Sequence, residues 1–189
     1  MEKTSLIKSI EDYVDEVWDE MLADVATLVS IPSVEDESTT ASGAPWGDGP
    51  RRALDEGLTI ARRLGLEPQD LDGYIGYADL AGDSPRQLAT IAHLDVVPAG
   101  DGWVTDPFTM ICRDGYLLGR GVIDDKGPAV ATLWAAHFFV RRHKRLPYTL
   151  RLLLGVNEET GMGDVKYYLA HNEEPMFLFT PDAEFPVVC

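Results

Sequence analysis

Four short segments of this 189-residue sequence place an imidazole and several carboxylates where a chain commonly turns. His93-Leu94-Asp95 closes one apolar run, and Asp124-Asp125-Lys126-Gly127 follows the loop Gly119-Arg120-Gly121. Asn157-Glu158-Glu159-Thr160-Gly161 follows the apolar residues 149–156, and Thr180-Pro181-Asp182-Ala183-Glu184 follows Phe177-Leu178-Phe179. Taken singly, each is weak. An Asp or Glu in a loop more often caps a helix or shapes a turn, and a lone His is more often packed or exposed. Asp124-Asp125 could simply cap a helix starting near Pro128. Coincidence at four consecutive strand ends favours cation binding instead. Nitrogen and oxygen donors without thiolate suit Zn, Mn or Co. An Asp two residues after a His can reach back to the second ring nitrogen, fixing the tautomer and raising ligand basicity. Two successive glutamates offer one carboxylate for an ion and one to shuttle a proton from an activated water.

These segments need elements to hold them. Leu6, Ile10, Tyr13, Val14, Val17, Trp18, Met21, Leu22, Val25 and Leu28 recur at helical spacing, with acids on the opposite, solvated face, and Pro32 ends the helix. A loop over residues 33–50 leads to a second helix over about 51–64, stopped by Gly65. Short strands then alternate with helices. Strands are expected at 74–80, 88–94, 116–118, 149–156 and 177–179, the fourth central because Arg151 is its only charge. Helices are expected from Pro128, which suits a first turn, and over about 163–170. The pattern is that of an α/β domain with a largely parallel or mixed sheet, whose ligands gather at the carboxyl ends of strands.

Composition narrows the partners. Hydrophobic residues make up 45% and charged residues 25%, ordinary for a globular chain. Acids outnumber bases 32 to 16, and a formal charge of −16 argues against nucleic acid or an anionic membrane as partner. The longest apolar stretch, residues 129–140, is interrupted by Thr132 and His137 and falls short of the roughly 20 residues of a bilayer span. Cys112 and Cys189 form no framework and no Cys-x-x-Cys pair, and the acidic start has no signal-peptide core. A soluble, cytoplasmic protein is expected. His137, His143 and His171 read as a core or boundary residue and two helix ends, and no signal fixes an oligomeric state.

His93-Leu94-Asp95-Val96-Val97-Pro98, Gly119-Arg120-Gly121 through Gly127, and Asn157 through Gly161 resemble the co-catalytic dizinc peptidases and deacylases. That group includes acetylornithine deacetylase, succinyl-diaminopimelate desuccinylase, aminoacylases and carnosinases. Gly102-Trp103-Val104-Thr105-Asp106-Pro107-Phe108, Val165-Lys166-Tyr167-Tyr168-Leu169 and residues 180–187 are similar to the PepV-like dipeptidase branch. The resemblance implies a three-layer sandwich of the zinc exopeptidase type and hydrolysis of dipeptides or short peptides. It implies two divalent ions, zinc foremost, with manganese or cobalt as alternatives. His93 and Asp182 would bind one ion, Glu159 the other, and Asp124 would bridge them. Asp95 would orient His93, and Glu158 would be general base and then acid. The Asp124–Asp125 peptide is expected to be cis. Such enzymes are longer, with a lid domain and a returning segment that supplies a final histidine. Residues 1–189 are therefore expected to be the N-terminal part of a catalytic domain, inactive alone, with Pro186-Val187-Val188-Cys189 breaking off on an apolar strand. A deacylase of the same group, or a silent metal-binding fragment, are the alternatives.

Overall fold

The computed structural model describes residues 3–182. Residues 183–187 of the last motif, and the apolar ending at 186–189, lie outside the described residues. Helix α1 (Lys3–Val29) comes first, followed by a 3-10 turn (Glu37–Thr39) and helix α2 (Asp48–Arg63). Strands β1 (Glu67–Leu71), β2 (Ile75–Leu80) and β3 (Gln87–His93) precede a hairpin of β4 (Ile111–Arg113) and β5 (Tyr116–Leu118). Helix α3 (Lys126–Arg141), strand β6 (Thr149–Gly155), helix α4 (Gly163–His171) and strand β7 (Phe177–Phe179) complete the order.

The main sheet is mixed, with five strands in the order β1-β2-β6-β3-β7. β3 pairs in parallel with both β6 and β7, while β2 runs antiparallel to β1 and β6. One face presents Ala78, Ala92, Leu152 and Leu154 to the apolar sides of α2 and α3. The other face packs Ile75 and Leu153 against Tyr168 of α4. Helices therefore cover both faces, and α1 lies outside against α3, giving the expected layered α/β architecture.

Local chemistry explains the boundaries. Asp48 at the start of α2 and Arg62 and Arg63 at its end complement the helix dipole. Gly65, at φ 81°, supplies the left-handed turn that stops it. Along α1 the stripe Tyr13, Val17, Val25, Leu28 and Val29 is buried, whereas Ile10 and Trp18 are exposed. Asp24 departs from the solvated acidic face: it is buried, accepts from Trp134 Nε1 at 2.8 Å and pairs with Arg63. Strand β1 carries the sequence Glu-Pro-Gln-Asp-Leu, without apolar alternation, and an edge position tolerates its proline.

One expectation is corrected. The strand before Gly119 is β5, which belongs to the separate two-stranded hairpin and not to the main sheet. Three strand ends, those of β3, β6 and β7, share the carboxyl edge of the sheet. The fourth segment reaches that edge through the turn that starts α3.

Candidate metal centre

His93 is the last residue of β3 and only 3% exposed. Its ring Nδ1 lies 3.0 Å from the Asp95 main-chain oxygen and 3.3 Å from Asp95 Oδ1. With its Nδ1 proton donated to Asp95, the ring turns Nε2 toward the carboxylates, and a cation displacing the Nε2 proton would find the tautomer a metal ligand needs. Nε2 is 3.0 Å from Asp124 Oδ1 and 3.7 Å from Asp182 Oδ2. The His93 main-chain N–H donates to Asp125 Oδ2 at 3.1 Å, so the two adjacent aspartates grip the same histidine from two sides. The peptide between them is cis, as the resemblance implied.

Asp95 joins this histidine to the turn after β6. Its carboxylate is buried and accepts from the main-chain N–H of Glu158 at 3.2 Å and of Glu159 at 3.1 Å. The glutamates are thus held to Asp95 by their backbone. Asn157 donates through Nδ2 to Glu35 Oε2 at 3.2 Å, which brings the loop after α1 to the site. Ser33 reinforces that contact by donating to the Leu94 oxygen at 2.6 Å.

Lys126 anchors the aspartate pair from behind. Wholly buried, its ammonium donates to the oxygens of Leu28 at 2.9 Å and Ile31 at 2.7 Å, near the end of α1. Burial pulls its pKa down to about 7, against the pull of Asp95.

Two overlapping groups have ligand atoms within 4.8 Å of one another: His93, Asp124 and Glu159, and His93, Asp125 and Asp182. The sequence-expected residues His93, Asp95, Asp124, Glu158, Glu159 and Asp182 all belong to this one neighbourhood. Asp125 was not among them; its adjacency to Asp124 was the only signal. His137 instead meets the Tyr13 hydroxyl at 3.0 Å, and His143 and His171 lie at helix ends.

The electrostatics suit a cation. Burial by itself would lower the His93 pKa, but Asp95, then Asp125 and Asp124, outweigh it and push it up to about 10. Burial pushes Asp125 up to about 7. Burial also raises Glu158 and Glu159, helped by the neighbouring carboxylates. Among the described residues, Asp125 Oδ1 is buried with no hydrogen-bond partner. Crowded carboxylates, one histidine nitrogen and an orphaned buried oxygen are a donor set that a divalent ion would satisfy.

Comparison with known proteins agrees with this chemistry. Residues 89–187 match the model described as Peptidase family M20/M25/M40, just over half the chain. The chain is 37% identical to a Beta-Ala-Xaa dipeptidase of Lactobacillus delbrueckii subsp. lactis over 172 residues, 90% of this chain and 36% of that protein. It superposes on human carnosine dipeptidase 1 with a TM-score of 0.73 at 24% identity, covering 93% of this chain and 41% of that one. The dipeptidase Dug1p of Saccharomyces cerevisiae gives a TM-score of 0.72 at 21% identity, covering 86% and 37%. The chain spans 36–38% of the length of the curated relatives it matches. The family match, covering the strands and turns that carry every residue of the centre, places the chain in peptidase family M20/M25/M40.

Proposed function

We propose that this centre takes two divalent ions, zinc foremost and manganese or cobalt as alternatives, and serves the hydrolysis of dipeptides or short peptides. The observation that carries the reading is the meeting of His93, Asp124 and Glu159, from three separate segments, within 4.8 Å. In this reading His93 and Asp182 hold one ion, Glu159 the other, and Asp124 lies between them; Asp125 is close enough to join the first group. Bound there, the ions supply Lewis acidity toward a peptide carbonyl and toward water. Glu158, not needed as a ligand, takes a proton from the attacking water and returns it to the leaving amine. Asp95 holds the His93 ring and the backbone of both glutamates. Residues 1–189 are the N-terminal part of the catalytic unit, in keeping with the share of its relatives that they span. A cytoplasmic location belongs to the same proposal.

The test is hydrolysis of dipeptides against N-acyl amino acids by the protein that carries this sequence, loaded with zinc, manganese or cobalt. Dipeptide turnover that fails in Glu158→Gln while bound metal persists is the expected result. Turnover of N-acyl amino acids alone would move the assignment to a deacylase.

A further inference from the structure

Glu158 and Glu159 follow the central strand, and their turn is held in an unusual way. Four consecutive main-chain N–H groups end on carboxylates. Asp95 receives those of Glu158 and Glu159. Asp164, the second residue of α4, receives those of Val156 at 2.8 Å and Asn157 at 3.0 Å on a single oxygen, Oδ2. Its other oxygen accepts from Val165 N at 2.7 Å. Asp164 is 1% exposed, so this carboxylate has left water for three backbone donors.

The surroundings leave room for it. A Cβ on Gly155 would sit 2.6 Å from Asp164 Oδ2, so only glycine lets the carboxylate lie against the strand end. Asn157 closes the turn from the other side, accepting from Gly163 N at 2.9 Å. A Cβ on Gly163 would come within 2.9 Å of that same Asn157 oxygen.

A bland reading is that Asp164 merely favours the start of α4, where an acid complements the dipole. The directions of its bonds argue otherwise, since two of the three run back to the β6 turn. The geometry points to Asp164 as a positioning residue for metal binding. Its buried carboxylate fixes the turn that presents Glu158 and Glu159, and acts through the main chain without itself being a ligand. The inference rests on the two-ion reading above, in which Glu159 is a ligand. Groups that support ligands from behind typically cost about 10–100-fold in metal affinity when removed.

A further consequence is selectivity. The hydrogen bonds that Asp164 accepts come from the turn after β6 and from its own helix, so the ion held by Glu159 should suffer more than the other. The experiment titrates zinc, in competition with a chromophoric chelator, into wild type, Asp164→Ala, Asp164→Asn, Asp164→Ser and Glu159→Ala, with far-UV circular dichroism confirming the fold. Asp164→Ala should weaken the ion that Glu159→Ala also weakens, by about 10–100-fold, and the other less. Asp164→Asn, which keeps one acceptor oxygen, should recover part of that loss. Unchanged affinity for both ions in a folded Asp164→Ala, or equal weakening of both, would overturn the inference. If Asp164→Ala does not fold, Asp164→Ser decides, because its shorter hydroxyl cannot reach both N–H groups of the turn: selective weakening supports the role and unchanged affinity refutes it. Glu159→Ala separates the two levels. Should it leave both ions bound, the ligand assignment itself has failed; should it lose one while the Asp164 variants lose neither, only the positioning role falls.

Discussion

Replacing Asp95 by asparagine changes one atom and tests whether the centre depends on a preset backbone. The wild-type carboxylate is 2% exposed and accepts from two adjacent N–H groups, one on each oxygen. Asparagine has a single acceptor oxygen. In either side-chain orientation, an NH2 group must then face the N–H of Glu158 or Glu159, and one hydrogen bond to a charged acceptor is lost. The ring of His93 suffers less, because the Asp95 main-chain oxygen, 3.0 Å from Nδ1, survives the substitution. A hydrogen bond to a charged group contributes about 1.5–3 kcal/mol. If about 2 kcal/mol of that appears as misplacement of the glutamates, zinc binding weakens roughly thirtyfold. The assay is chelator competition at fixed pH on wild type and variant, with circular dichroism showing that both are folded. Zinc affinity equal to wild type would refute the reasoning, because it would mean that the turn holds its shape without the carboxylate.

Three further outcomes are expected. Glu158→Gln should retain metal by elemental analysis and lose about 10²–10⁴-fold in peptide turnover; loss of metal would exchange the roles of Glu158 and Glu159. Asp79→Ala should destabilise the fold by about 3 kcal/mol in urea unfolding, the lower end for a broken buried pair. It strips Arg151 of two bonds, at 2.8 and 2.7 Å, and leaves the guanidinium with Tyr168 and the Tyr77 ring. The double variant Asp79→Leu/Arg151→Met should recover most of that loss, and a double variant as unstable as Asp79→Ala would show that charge was not the cause. Burial pushes Tyr13 up to about 12. Its neutral form therefore stabilises the fold below the unfolded value of about 10, and that contribution is lost as pH rises from there toward 12. Tyr13→Phe should flatten the fall of the unfolding midpoint across that window, and identical profiles would contradict the burial argument.

Periodicity and turn chemistry made the strong elements legible. The apolar run of β6 announced a central strand, and its one charge, Arg151, is buried in a pair with Asp79, which no local pattern could reveal. Pro128 and Gly65 marked helix ends because their backbone restrictions are local. Strand β1 was invisible: its pairing with β2 comes from register and a sheet edge, not from alternating apolar residues. The candidate donors His93, Asp124, Glu159 and Asp182 were legible in the sequence by type and order. Asp125 and Asp164 were not, since their work is to accept backbone N–H groups brought to them by the completed fold. The assignment of Asp124 to a strand end failed for a similar reason, because a hairpin strand and a sheet strand look alike in sequence.

The pairing of β3 with β7 also governs when the centre can exist during synthesis. Leu88 lies opposite Phe177, so nearly ninety residues must emerge before the two strands meet. Closing so large a loop costs entropy that three residues of exposed strand repay poorly. His93 and Asp182 sit just beyond the same, carboxyl end of that join, one on each strand's side. A cation shared by them would staple the last strand in place, making metal capture a late folding step that locks β7 to the sheet.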